Sequence, residues 1–140
     1  MKFVLFFLVG LMVWSQSANA EINLTSESVV DGKIGKIHAC RQKGGKDKSI
    51  QISASNLPAD TKSISIILDD PDAIKPAGKV WVHWNVFNIP VTTSEFTLDV
   101  GSKPAGTIGK GHGGSGYKGM CPPDGEHTYR IAVYAQKEDV

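Results

Sequence analysis

The chain has 140 residues, with 15 Lys and Arg against 14 Asp and Glu and a formal net charge of +1. That length supports one domain with a real core, and near-neutrality excludes the basic field that holds nucleic acid or an anionic membrane surface. Recognition of an anion must therefore come from a local pocket.

Residues 1–20 carry a single charge, Lys2, then an apolar run over 3–14 and a small, polar stretch ending in Ala18-Asn19-Ala20. This order is that of a secretory signal peptide, too short in its apolar part to span a bilayer, with cleavage expected before Glu21. The mature chain, 21–140, loses one base and no acid, leaving 14 of each. It is expected in the periplasm or secreted, and not as an integral membrane protein. In that oxidising setting the two cysteines, Cys40 and Cys121, point to a disulfide rather than free thiols or a metal site.

Apolar and polar residues alternate over 50–54 and 129–133, the period of half-buried strands. Residues 63–68 and 80–89 are rich in Ile, Val, Phe and Trp, with Asn-Leu-Pro, Asp-Pro-Asp and Pro-Ala-Gly turn signals between the runs. No window has a clean 3.6-residue apolar period, so helix is expected only at the periphery. The glycine-rich stretch 101–119 reads as a long mobile loop. A mainly β, antiparallel sandwich follows.

Gly109-x-Gly111-x-x-Gly114 and Gly114-x-Gly116-x-x-Gly119 match a dinucleotide fingerprint in form only, because no helix pattern follows to meet a pyrophosphate. The phosphate-loop, zinc-protease and serine-hydrolase motifs are absent from the sequence. Asp69-Asp70-Pro71-Asp72 clusters carboxylates at a strand end, and taken alone reads as a solvated turn. His83, between apolar neighbours, reads alone as a packed core residue. In Cys121-Pro122-Pro123-Asp124-Gly125-Glu126-His127-Thr128-Tyr129, two prolines and a glycine deliver His127 and Tyr129 to the start of a strand, two apart and so on one face.

Together, Asp70-Pro71-Asp72-Ala73, Trp81-Val82-His83-Trp84, Gly116-Tyr117-x-Gly119 and Cys121-Pro122-Pro123-x-Gly125-x-His127-x-Tyr129 resemble the phosphatidylethanolamine-binding protein family, in its bacterial, Raf-kinase-inhibitor-like branch. The resemblance runs from about Cys40 to Gln136. It implies a Greek-key β-sandwich with a small cavity for phosphate-type anions, including phospholipid headgroups, built from Asp70, His83, Pro122, His127 and Tyr129 with Trp81 and Asp72 beside them. Two imidazoles can donate to phosphate oxygens, and the aspartate is expected to raise their pKa values. Ile74 and Met120 stand where relatives commonly have proline. Relatives usually continue past the position of Val140, so the chain is expected to be a fragment or a shortened member, with the face of its last strand covered by later elements.

The first functional reading is a non-enzymatic binding protein for phosphate or phosphoethanolamine, without a cofactor, and by resemblance a candidate inhibitor of a kinase or protease. The second is a phosphoester hydrolase with a divalent metal on Asp70, Asp72, His83 and His127. The third is an interaction domain with a vestigial pocket.

Overall fold

The computed structural model describes residues 21–140. The signal peptide expected over 1–20 lies outside the described residues. Eleven short strands dominate: β1 (Asn23–Thr25), β2 (Val29–Val30), β3 (Lys33–Ile34), β4 (Ile52–Ser55), β5 (Ser63–Asp70), β6 (Trp81–Pro90), β7 (Phe96–Leu98), β8 (Thr107–Ile108), β9 (Lys110–Gly111), β10 (Gly114–Ser115) and β11 (Arg130–Gln136). One α-helix of four residues, α1 (Ile74–Ala77), follows β5. No helix among the described residues is long and apolar enough to cross a membrane.

Two antiparallel sheets form the layers, one ordered β11-β5-β6-β8 and the other β1-β4-β7. The alternation that marks these strands is what builds the core between them. Ile64, Ile66 and Leu68 of β5 and Trp84 and Val86 of β6 meet Ile52 and Ala54 of β4 and Leu98 of β7 in one buried cluster. Burial of this apolar surface from both sheets is the main term holding the layers together. The expected sandwich is the observed fold, with helix confined to its edge.

Two irregularities in the pairing of β5 with β6 matter for the site. Leu68 pairs with Trp84 but Asp69 pairs with Val82, so His83 is the extra residue of a bulge. A bulge breaks strict alternation and re-aims the side chain it contains. His83 is accordingly buried beside Trp84, not turned outward as the residue between two inward ones.

The glycine-rich stretch is not the free loop that its composition suggests. It pairs with β6 at Val86 and Phe87, then continues along the same strand: Gly109 N–H donates to Asn85 O (2.9 Å), His112 N–H to Val82 O (3.0 Å) and Lys118 N–H to His83 O (2.9 Å). Its glycines allow this approach. A Cβ on Gly109 would lie 2.8 Å from Asn85 Nδ2, and one on Gly111 would collide with the Val82 carbonyl oxygen. Glycine here marks close backbone contact rather than freedom.

Cys40 and Cys121 are joined by a disulfide, with their Cα atoms 5.5 Å apart and a sequence separation of 81. A bridge of that span limits the unfolded chain, so its reduction is expected to lower stability by about 3 to 5 kcal/mol. Denaturant midpoints of oxidised protein and of protein held in reductant measure it. For Gly111→Ala, whose added methyl has no space, a loss of about 1 to 3 kcal/mol is expected in the same assay.

Candidate functional site

The site forms where the end of β5 meets the segment that leads into β11. Three carboxylates stand at the end of β5, and each takes a donor from residues 127–130. Asp69 accepts two bonds from the Arg130 guanidinium, from Nε and Nη2, both at 2.8 Å. Asp70 Oδ2 accepts from His127 Nδ1 at 2.7 Å. Asp72 Oδ2 accepts from the Thr128 backbone N–H at 2.7 Å. The Asp-Asp-Pro-Asp turn is therefore a clamp. Pro71 starts a short turn of 3-10 helix whose Ala73 N–H donates to Asp70 Oδ1 at 3.1 Å, which fixes the Asp70 carboxylate from its other side.

His127 is held at both nitrogens. Its Nε2 lies 2.9 Å from Asp124 Oδ1, opposite the bond to Asp70, and the ring side chain is only 5% exposed. A neutral imidazole has one N–H, so two carboxylate acceptors on two nitrogens call for the imidazolium. The His127 pKa is raised above its ordinary value, first by the hydrogen bond it donates to Asp70 and also by the one to Asp124, against the opposing effect of burial.

His83 has the opposite state. Its Nδ1 lies 2.9 Å from the Lys118 carbonyl oxygen, so Nδ1 carries the proton and Nε2 keeps its lone pair when the ring is neutral. Lys118 thus grips His83 twice, through its own N–H to His83 O and its carbonyl to the ring. Burial pushes the His83 pKa down, outweighing the Lys118 bond and the nearby Asp70 charge. The expectation that Asp70 raises both histidines holds for His127 and fails for His83, because desolvation of a buried ring exceeds the attraction of a carboxylate it does not touch.

These groups line a cavity of about 770 Å³. Asp70, His83 and His127 are in its wall, with Trp81, Pro122 and Pro123, both cysteines of the disulfide, and the charged side chains Arg41, Asp47 and Lys118. Trp81 stacks on His112, ring centroids 5.0 Å apart, and His112 Nδ1 accepts the Val82 N–H at 2.8 Å. Five of the seven ligand-binding residues read from the sequence therefore line one space.

Asp72 and Tyr129 do not. Asp72 is exposed, outside the lining, with an oxygen committed to the Thr128 backbone. Tyr129 is expected on the same face as His127, and the two rings are neighbours that line a common wall, although the strand itself begins only at Arg130. The Tyr129 ring packs against the back of both histidines, with centroids 5.6 Å from His83 and 6.4 Å from His127. It lines a second cavity, of about 840 Å³, on the other side of His127 and Pro122. Its hydroxyl is buried without a partner, and burial followed by the Asp70 and Asp72 charges raises its pKa.

Sequence reading missed Arg41, Asp47, Lys118 and Asp124. Arg41 lies in a short 3-10 turn with Asp47 just after it, outside any motif, and Lys118 fills the variable position of Gly116-Tyr117-x-Gly119. Asp124 sits inside the Cys-Pro-Pro segment, where it reads as one of the turn residues. Among the described residues, no three His, Cys, Asp or Glu side chains are arranged to hold a metal ion.

The cavity lies at one end of the two central strands, β5 and β6, of the larger sheet of an antiparallel sandwich, a binding-protein fold. Residues 25–140 match the phosphatidylethanolamine-binding protein family, and the chain belongs to that family. It is 37% identical over 121 residues to a UPF0098 protein of Methanothermobacter thermautotrophicus, covering 81% of this chain and 76% of that one. It is 36% identical over 104 residues to the UPF0098 protein YbcL of Escherichia coli, covering 68% of this chain and 56% of YbcL. The crystal structure of E. coli YbcL superposes with a TM-score of 0.74 at 33% identity, covering 85% of this chain and 79% of that one. A phosphatidylethanolamine-binding protein homolog from Chlamydia trachomatis gives 0.72 at 32% identity, covering 84% and 76%.

The two histidines pull the pH dependence of stability in opposite directions. His127, with its pKa raised, contributes stability that is complete below the ordinary imidazole pKa of about 6.5 and is lost as pH rises through its folded value. His83, with its pKa lowered, destabilises the fold as pH falls from about 6.5 through its folded value. Their joint contribution is therefore greatest near pH 6.5. In Asp70→Asn the His127 titration, followed by NMR, is expected to move down, and the alkaline limb of a melting-temperature profile to flatten.

Proposed function

We propose that the chain is an exported, non-enzymatic binding protein whose first cavity holds a phosphate-type anion, either inorganic phosphate or a headgroup such as phosphoethanolamine. The observation that carries this reading is the pairing of two histidines in one wall, His127 held by a carboxylate at each nitrogen and His83 held at Nδ1 by the Lys118 carbonyl. Lys118 and Arg41 add cationic groups to the wall, Arg41 lying 3.8 Å from Asp47. Trp81, Pro122 and Pro123 give the same wall an apolar part, as small-ligand sites commonly have.

Nothing in this wall pairs a nucleophile with a base. The carboxylate that an activating imidazole would need is spent holding His127, and His83 Nδ1 is committed to a carbonyl. Export rests on the charge, apolar run and Ala-x-Ala order of residues 1–20.

The proton inventory sets the sign of the pH effect. With neutral His83, Nε2 presents a lone pair to the anion; once protonated, it presents a donor. Binding should therefore tighten as pH falls below about 6.5, and the anion should itself raise the His83 pKa. Calorimetry with sulfate, which does not titrate in this range, beside phosphoethanolamine separates the protein's protons from the ligand's. His83→Ala should remove the acid-side gain and cost about 1.5 to 3 kcal/mol, roughly ten- to a hundredfold in affinity. An affinity for sulfate that is flat between pH 5 and 8 in the parent would contradict this role of His83.

A further inference from the structure

The outer nitrogen of His127 is already occupied. Asp124 Oδ1 sits 2.9 Å from Nε2, and the ring that it caps is 5% exposed although the Asp124 side chain itself is 38% exposed. One carboxylate, Asp70, is part of the packed clamp at the end of β5 and is buried. The other belongs to an exposed loop and touches the ring from the solvent side.

That loop is anchored at both ends and free between them. Cys121 is fixed by the disulfide at one end, and Thr128 by Asp72 at the other. Residues 123–126 are exposed and outside any strand or helix. Gly125 has φ of +123°, and a Cβ built on it would meet nothing within 4 Å. None of residues 123–126 belongs to the buried core, so Asp124 can leave the ring without a core residue moving.

We propose that Asp124 is a built-in competitor for the anion: its carboxylate accepts the hydrogen bond that His127 Nε2–H would give a ligand, and a ligand binds by displacing it. This rests on the anion-binding reading above and deepens it, because it makes Asp124 the residue that sets which anions bind and how tightly. An incoming anion exchanges one charge-assisted bond for another, so only a ligand that also uses Arg41, Lys118 or His83 gains on the exchange. Weak anions able to accept a single hydrogen bond are rejected. Phosphate-type anions, with three or more oxygens, can replace Asp124 and reach a second donor.

The test is calorimetry on the oxidised chain 21–140 with inorganic phosphate and, separately, phosphoethanolamine, for the parent, Asp124→Ala, Asp124→Asn, His127→Ala and the Asp124→Ala/His127→Ala double variant. Asp124→Ala is expected to bind both ligands about tenfold more tightly than the parent, the scale of one charge-assisted bond no longer displaced. Asp124→Asn, which keeps the acceptor but not the charge, should fall between. In the His127→Ala background the same Asp124 substitution should give no gain, since the contested proton is gone. Melting temperatures confirm that each variant is folded.

Equal or weaker binding by Asp124→Ala would show that Asp124 only steadies the ring, which overturns the proposal and leaves the anion-binding reading standing. A gain confined to phosphoethanolamine would also overturn it, because removing a carboxylate cannot favour an ammonium. If neither the parent nor Asp124→Ala binds either ligand, the anion-binding reading fails and the proposal falls with it. A parent that does not bind, beside an Asp124→Ala variant that does, supports both.

Discussion

The bond between Asp70 and His127 is the interaction on which the rest of the site depends. Asp70 ends the strand that carries three of the most deeply buried core residues, and His127 opens the way into the neighbouring strand β11. A buried carboxylate is unstable unless paired and hydrogen-bonded, and Asp70 is both, through His127 and the Ala73 N–H. Asp69 and Asp72 extend the same clamp to Arg130 and the Thr128 backbone. Removing one partner of the buried pair strands the other charge, so the geometry of the clamp and the protonation of His127 are a single property.

The second constraint comes from the opposite side of the cavity. His83 is turned inward by a bulge and then locked by Lys118, so its accessible nitrogen is decided by backbone atoms 35 residues away. The glycine-rich stretch reaches Lys118 only because its glycines let two backbones come close along β6. The low side-chain content of that stretch serves packing against β6, and through it the orientation of a ring.

The disulfide and the two prolines complete the wall. Cys40 also makes a backbone bond at 3.0 Å, its N–H donating to Met120 O, so the bridge reinforces a contact that already joins the two segments. His127 and Pro122 separate two cavities, with Tyr129 behind them in the second. A phenol without a partner beside two carboxylates keeps its proton and acts here as an apolar support for the imidazoles.

Alternation over 50–54 and 129–133, with runs rich in β-branched and aromatic residues over 63–68 and 80–89, was enough to show the strand class and the marginal place of helix, because a sheet with one buried face writes its period of two into the chain. The residues of the site were legible as a set, since motif order places Asp70, His83, Pro122 and His127 without any coordinates. Which of them share a space was not. Alternation placed Tyr129 with His127, and the two do share a wall, but it is that of the second cavity and not of the one that Asp70 and His83 line. Composition made residues 101–119 a loop and could not reveal their pairing with β6, since glycine marks freedom and close approach equally. The opposite proton states of His83 and His127 were likewise beyond reach, because both are decided by distance and burial. Sequence determined which groups could take part, and tertiary structure decided which nitrogen carries a proton and what it faces, for those depend on neighbours up to 57 residues away in the chain.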